Sequence, residues 1–115
     1  MKKSIIAMVM LGLCGSAMAN EEMLKIAANA GCIACHQVEP RTDGKLPIGP
    51  AWKDVAKKYK GDKTAQAKLT KEVIAGTNLY DSHWKGKVSG VAMPPNAVAI
   101  KEADAKKLVT WILSL

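Results

Sequence analysis

The sequence predicts an all-α fold of four helices joined by long irregular loops. Four segments of the 115-residue chain place apolar side chains at positions i, i+3, i+4 and i+7, which is typical of amphipathic helices. No pair of segments alternates apolar and polar residues as strands do. Residues 37–49 and 77–92 show neither pattern, and loops of this length are uncommon in a compact domain unless they are functional or disordered.

The first two helices have glycine or proline at their boundaries. The first ends at Gly31, while the second follows Pro50 and is closed by Gly61. The apolar faces consist of Met23, Ile26, Ala27 and Ala30 in the first helix, and Trp52, Val55, Ala56 and Tyr59 in the second.

The third and fourth helices have recognisable end signals of their own. The third runs from about residue 64 to 75, with Asp62 placed to cap its start and Gly76 its end. The fourth carries Glu102 and Asp104 in its first turn, where the helix dipole favours acidic groups. Their apolar faces consist of Ala65, Leu69, Val73 and Ile74, and of Leu108, Trp111, Ile112 and Leu115.

Residues 1–19 have the pattern of a cleaved secretory signal. Lys2 and Lys3 precede an apolar run over residues 5–13, and the small residues Ala17 and Ala19 favour cleavage after Ala19. The apolar run is too short to remain as a membrane-spanning helix. We therefore expect residues 20–115 to form a single exported domain without stable membrane insertion. A lipoprotein modified at Cys14 is the alternative, which Leu13 disfavours because a small residue is expected there.

The motif Gly31-Cys32-Ile33-Ala34-Cys35-His36 points to a covalently attached haem. Two thiols three positions apart can each add to one vinyl group of haem, and the adjacent His36 then ligates the iron. A structural zinc site needs four ligands, but the chain has only one other histidine, His83. A thioredoxin-like dithiol needs a βαβ pattern, which is absent, and a structural disulfide would leave His36 unexplained.

Met93 is the best candidate for the second axial ligand. Two prolines follow it and fix the backbone angle φ, as the delivery of a weak thioether ligand requires. The rival candidates are Met23 and His83, and His83 lies in a polar segment where a solvated loop histidine is the simpler interpretation.

With these motifs in place, the chain resembles the small bacterial class I cytochromes c. The resemblance covers the mature chain and implies their fold, with four helices and long loops around one covalently bound haem c. It also implies that the first and last helices cross, with Trp111 against Ile26 or Ala27. Its most specific pieces are residues 32–36, 48–56, 93–98 and 111–114.

The same resemblance implies three contacts around the haem. The Pro50 carbonyl would accept the Nδ1 proton of His36, Trp84 would donate its indole proton to a haem propionate, and Asn96 would lie near the sulfur of Met93. An iron held by His36 and Met93 has no vacant position, which favours an electron carrier over an enzyme. The alternatives are a five-coordinate haem enzyme or gas sensor in which Met93 is not ligated, and a thiol oxidoreductase.

The charge balance indicates the kind of partner. The chain has 17 basic and 10 acidic residues; without Lys2 and Lys3, 15 basic residues remain and the net charge is +5. We expect a monomer that meets periplasmic or membrane-bound redox proteins, such as a terminal oxidase, a nitrite reductase or a peroxidase, and a quinol-oxidising donor, but no nucleic acid. The lysines expected to steer such encounters are Lys45, Lys53, Lys57, Lys58, Lys60, Lys85 and Lys87.

Overall fold

Helices form all the regular secondary structure in the part of the chain that the computed structural model describes, residues 14–80 and 84–115. Helix α1 spans Cys14–Asn29, α2 Trp52–Lys58, α3 Ala65–Ala75 and α4 Glu102–Leu113, and a short 3-10 turn spans Cys32–Ala34. The all-α prediction is therefore confirmed. The ends of α2, α3 and α4 agree with the sequence pattern to about two residues.

Helix α1 extends further towards the N-terminus than its apolar pattern alone predicted. It begins at Cys14 and so passes through the predicted cleavage site after Ala19. The basic and apolar parts of the predicted signal, within residues 1–13, lie outside the described residues. Among the helices that are described, none is both long enough and apolar enough to cross a bilayer.

The core is a single cluster to which all four helices contribute, and α4 packs against each of the other three. Ala27 on α1, Ala65 on α3 and Ala105 on α4 have no exposed surface, as expected where helices approach one another closely. Leu108 and Ile112 of α4 are also buried within this cluster. The fourth helix therefore lies at the centre of the fold.

Trp111 links α4 to two other elements. Its ring meets Trp52 of α2 edge to face, with centroids 5.7 Å apart and planes at 77°. Its indole N–H donates to Oδ1 of Asn20 on α1 at 2.7 Å. Helices α1 and α4 pack against each other, as the resemblance implies, and Asn20 is the partner on α1 with which Trp111 forms a hydrogen bond.

Backbone hydrogen bonds hold the two long loops against the helices and against each other. The N–H of Trp52 donates to the carbonyl of Gln37 at 2.8 Å, at the start of the first loop. The N–H of Gly90 in the second loop donates to the carbonyl of Ile48 in the first at 2.9 Å. A Cβ on Gly90 would lie 2.6 Å from that carbonyl oxygen, so only glycine permits this approach.

The turn before α3 differs in detail from the predicted cap. Asp62 does not cap the helix directly; its carboxylate accepts the backbone N–H of Thr64 at 2.8 Å and the Thr64 hydroxyl at 2.7 Å. The helix then begins at Ala65 and ends before Gly76, whose φ of 81° is one that glycine adopts readily.

Candidate cofactor-binding site

A cavity of about 440 Å³ lies between the helices and the two long loops, within the range of about 300–1,000 Å³ typical of ligand pockets. Its walls are mainly apolar and come from α2, α3, α4 and both loops. It brings together the site residues that the sequence predicted, namely Cys32, Cys35, His36, Pro50, Trp84, Met93 and Asn96. Of the rival ligands, Met23 is buried in the helical core, and His83 lies outside the described residues.

The two cysteines of the motif border this cavity in a compact turn. Gly31 enters the turn with a φ of 78°, and the N–H groups of Cys35 and His36 donate to the Cys32 carbonyl at 3.2 and 3.0 Å. The two cysteines do not form a disulfide with each other, and Cys32 is half-buried while Cys35 is exposed. Burial raises the pKa of the Cys32 thiol. The described residues contain no cluster of three or more Cys, His, Asp or Glu side chains that could hold a metal ion.

The imidazole of His36 is held in one orientation. Its Nδ1 lies 2.8 Å from the carbonyl oxygen of Pro50. Because a carbonyl only accepts hydrogen bonds, Nδ1 carries the proton and Nε2 keeps a lone pair available for a metal. Burial lowers the pKa of His36, and the Pro50 hydrogen bond opposes that shift. The ring also stacks on Trp52, with centroids 6.0 Å apart and planes at 20°.

Gly49 packs directly against the His36 ring. A Cβ at this position would lie 2.7 Å from Cε1 and 3.0 Å from Nδ1, closer than side-chain atoms can approach. The N–H of Gly49 donates to the carbonyl of Cys35 at 2.8 Å, which draws the loop onto the motif. The segment Gly49-Pro50 therefore does more than start a turn, since it fixes both the position and the tautomer of the imidazole.

Met93 reaches the cavity from a different part of the chain. It begins a short segment, residues 93–96, that we call the strap, and its side chain is half-buried at the cavity wall. The Asn96 side chain donates to the carbonyls of Val73 at 3.0 Å and Pro94 at 2.9 Å. These two bonds use both amide hydrogens of Asn96, so in this structure the amide fastens the strap to the end of α3.

This set of donors suits a c-type haem. Two thiols can form the thioether bonds, while an imidazole nitrogen and a thioether sulfur can act as iron ligands. The walls that surround them are mainly apolar, and the cavity volume lies in the range of pockets that hold organic ligands. The residues present therefore fit this prosthetic group.

Comparison with known proteins decides the family. Residues 24–115 match the family model described as cytochrome c. The chain belongs to the cytochrome c family. It is 46% identical over 92 residues to cytochrome c-551 of Allochromatium vinosum, covering 80% of this chain and 84% of that protein. It is 38% identical over 115 residues to cytochrome c-552 of Hydrogenobacter thermophilus, covering 100% and 99% of the two chains.

A solved structure supports the same assignment for the fold. The crystal structure of wild-type Nitrosomonas europaea cytochrome c552 aligns with a TM-score of 0.62 and 38% identity, covering 80% of this chain and 98% of that one. As a small class I cytochrome c, the chain is an electron-transfer protein with a covalently bound c-type haem and is not an enzyme.

Trp84 of this cytochrome c has a cationic neighbour that the sequence pattern did not reveal. Nζ of Lys58 on α2 lies over the Trp84 ring, 4.7 Å from its centroid, as in a cation–π contact. The indole itself borders the cavity. Nothing in the local sequence links these residues, because the loop that carries Trp84 is placed by the fold.

Proposed function

We propose that this cytochrome c binds its haem iron through Nε2 of His36 and Sδ of Met93, with Cys32 and Cys35 forming the thioether bonds. The observation that carries the proposal is that all four side chains border one cavity, although Met93 belongs to a distant segment. The His36 ring already has its Nδ1 hydrogen bond, 2.8 Å from the Pro50 oxygen, so Nε2 is the nitrogen available to iron.

Haem supplies a single-electron couple at its iron when bound. His36 and Met93 would hold the iron from the protein side and leave no position for a substrate, so the chain would serve as a carrier. A Met ligand and apolar walls both favour a moderately high reduction potential. Gly49, Pro50 and Trp52 hold the imidazole in place, so we expect its position to change little between the two oxidation states.

Resistance to added ligands tests this function. Oxidised wild-type holoprotein should show the weak sulfur-to-iron absorption band and should bind cyanide only weakly, because cyanide has to displace Met93. The rival is a five-coordinate haem enzyme or gas sensor. Tight binding of cyanide, and of carbon monoxide by the reduced protein, together with absence of the sulfur band, would support that rival and contradict the carrier.

We also propose that the carrier works in the periplasm, after export by residues 1–19. The charge and hydropathy pattern of that segment supports this location. Covalent attachment of haem outside the cytoplasmic membrane, as the class I resemblance implies, fits the same location. Protein recovered from a periplasmic extract should begin at Asn20, whereas a membrane-bound form lipidated at Cys14 would contradict the assignment.

We propose that the partners are redox proteins with acidic docking surfaces: a quinol-oxidising donor complex, and an acceptor such as a terminal oxidase, a nitrite reductase or a peroxidase. The seven lysines expected to steer the encounter are all exposed. The side chains of Ile48 and Val91 border the cavity and are 52% and 74% exposed, which suits a small transient interface.

Electron transfer to an acidic partner should slow as salt is added. Raising ionic strength shortens the Debye length from about 30 Å at 0.01 M to about 8 Å at 0.15 M, which weakens steering by the lysines. Stopped-flow measurement of the bimolecular rate over this range provides the check. A rate that is constant or rises with salt would contradict docking through the lysine surface.

A further inference from the structure

The strap retains few backbone hydrogen-bond donors, and each of them has a partner. Two prolines follow Met93 and have no N–H, so only Met93 and Asn96 supply backbone donors within the strap. The Asn96 N–H lies 3.1 Å from the Val73 carbonyl and 3.2 Å from that of Ile74. These carbonyls lie in the last turn of α3, where no N–H group of the helix is available to donate to them. The Met93 N–H donates instead to a side chain, Oγ1 of Thr77, at 2.8 Å.

Thr77 therefore contacts Met93 through two hydrogen bonds. In addition to the hydroxyl contact, its own N–H donates to the Met93 carbonyl at 2.9 Å. The preceding residue makes this pairing possible, since a Cβ on Gly76 would lie 3.0 Å from the Met93 oxygen and 2.9 Å from the nitrogen of Pro95. The chain after α3 and the strap thus lie in direct backbone contact.

We propose that Thr77 is the positioning residue for Met93, holding the backbone from which the sulfur reaches the iron. This rests on the proposed ligation by Met93. The hydrogen bond from the Met93 N–H needs the hydroxyl of Thr77 as its acceptor, so the identity of residue 77 decides whether this bond forms. Without that acceptor, the half-buried Met93 N–H is left without its partner, and the strap can move away from the cavity.

Competition between an added ligand and the Met93 sulfur distinguishes a positioning role for Thr77 from a purely stabilising one. Apparent affinity for an added ligand depends on the fraction of molecules in which the sulfur has left the iron. A hydrogen bond that merely stabilises the domain changes the melting temperature but leaves this fraction unaltered. A hydrogen bond that positions Met93 changes the fraction itself.

The test compares cyanide binding by oxidised holoprotein in three threonine variants. Thr77→Val keeps the side-chain shape but lacks the acceptor, and its cyanide affinity should rise about tenfold, the equivalent of about 1.4 kcal/mol. Thr77→Ser keeps the hydroxyl and should stay within about twofold of wild type. Thr110→Val is the matched control, since the Thr110 hydroxyl accepts from Gln66 and donates to Lys106, on an exposed face away from the cavity. We expect wild-type cyanide affinity in that control.

Three results would overturn the positioning role. They are wild-type cyanide affinity in Thr77→Val, an equal increase in Thr77→Ser, and an equal increase in Thr110→Val. If Thr77→Val yields no holoprotein, Thr77→Ala removes the same acceptor and must show the increase. A different result would show that Met93 does not bind the iron at all. In that case the wild-type protein itself would lack the sulfur-to-iron band.

Discussion

The double variant Cys32→Ala, Cys35→Ala is expected to lack haem and to be largely unfolded or rapidly degraded. In the wild-type protein, the two thiols border a cavity of about 440 Å³ in a domain of about 100 residues. An empty cavity that kept its shape would cost on the order of 10 kcal/mol at about 24 cal/mol per Å³. That is comparable with the whole stability of a typical domain, about 5–15 kcal/mol. The helices cannot bury this surface without the group that fills it.

The measurement for the cysteine variant is thermal unfolding followed by far-ultraviolet circular dichroism, together with the haem content by pyridine haemochrome. Cys14→Ala is the matched control and should keep the wild-type haem content and melting curve, because Cys14 lies in the predicted signal. A cooperative melt near the wild-type temperature for the haem-free double variant would show that the protein folds without its cofactor.

Met93→Ala is expected to open one axial position of the iron. The sulfur-to-iron band should disappear, and the reduction potential should fall by roughly 0.1–0.3 V, a part of the ~0.8 V range that axial ligands span. Cyanide affinity should rise about 100-fold if the sulfur occupies the position in about 99% of wild-type molecules. Optical titration with cyanide and spectroelectrochemistry of the purified holoprotein measure these effects.

Met23→Ala separates the loss of a ligand from the loss of stability. Met23 is 8% exposed in the helical core, so its removal should cost about 2–5 kcal/mol of folding free energy. The absorption band, reduction potential and cyanide affinity of the Met23→Ala variant should remain those of wild type. If Met23→Ala lost the band while Met93→Ala kept it, the ligand assignment would be wrong.

The sequence was a good guide wherever local patterns decide the structure. The four helices follow from the spacing of apolar residues, and their ends follow from Gly31, Gly76 and the acidic first turn of α4. The motif at residues 32–36 and the strap could also be recognised as parts of one site, although they lie far apart in the chain. Few residue types can form thioether bonds to haem or fix the backbone next to a weak ligand, so cysteine and proline at these positions are strong sequence signals.

Local sequence patterns did not predict the contacts between distant segments. The stacking of Trp52 on His36 and the position of Lys58 over Trp84 depend on how the loops fold back. The hydrogen bond from Met93 to Thr77 spans 16 residues and joins two segments without helical periodicity. The 3-10 turn at Cys32–Ala34 was also not predicted, since three residues are too few to show a period.

The proton NMR spectrum of the reduced holoprotein is the most direct measurement of how the iron is coordinated. The porphyrin ring current shifts the methyl group of a methionine bound to the iron far upfield of all other methyl signals. We expect one such methyl in wild type, assigned to Met93 by its absence from Met93→Ala and its persistence in Met23→Ala. A wild-type spectrum with every methionine methyl in the ordinary region would show that Met93 does not bind the iron.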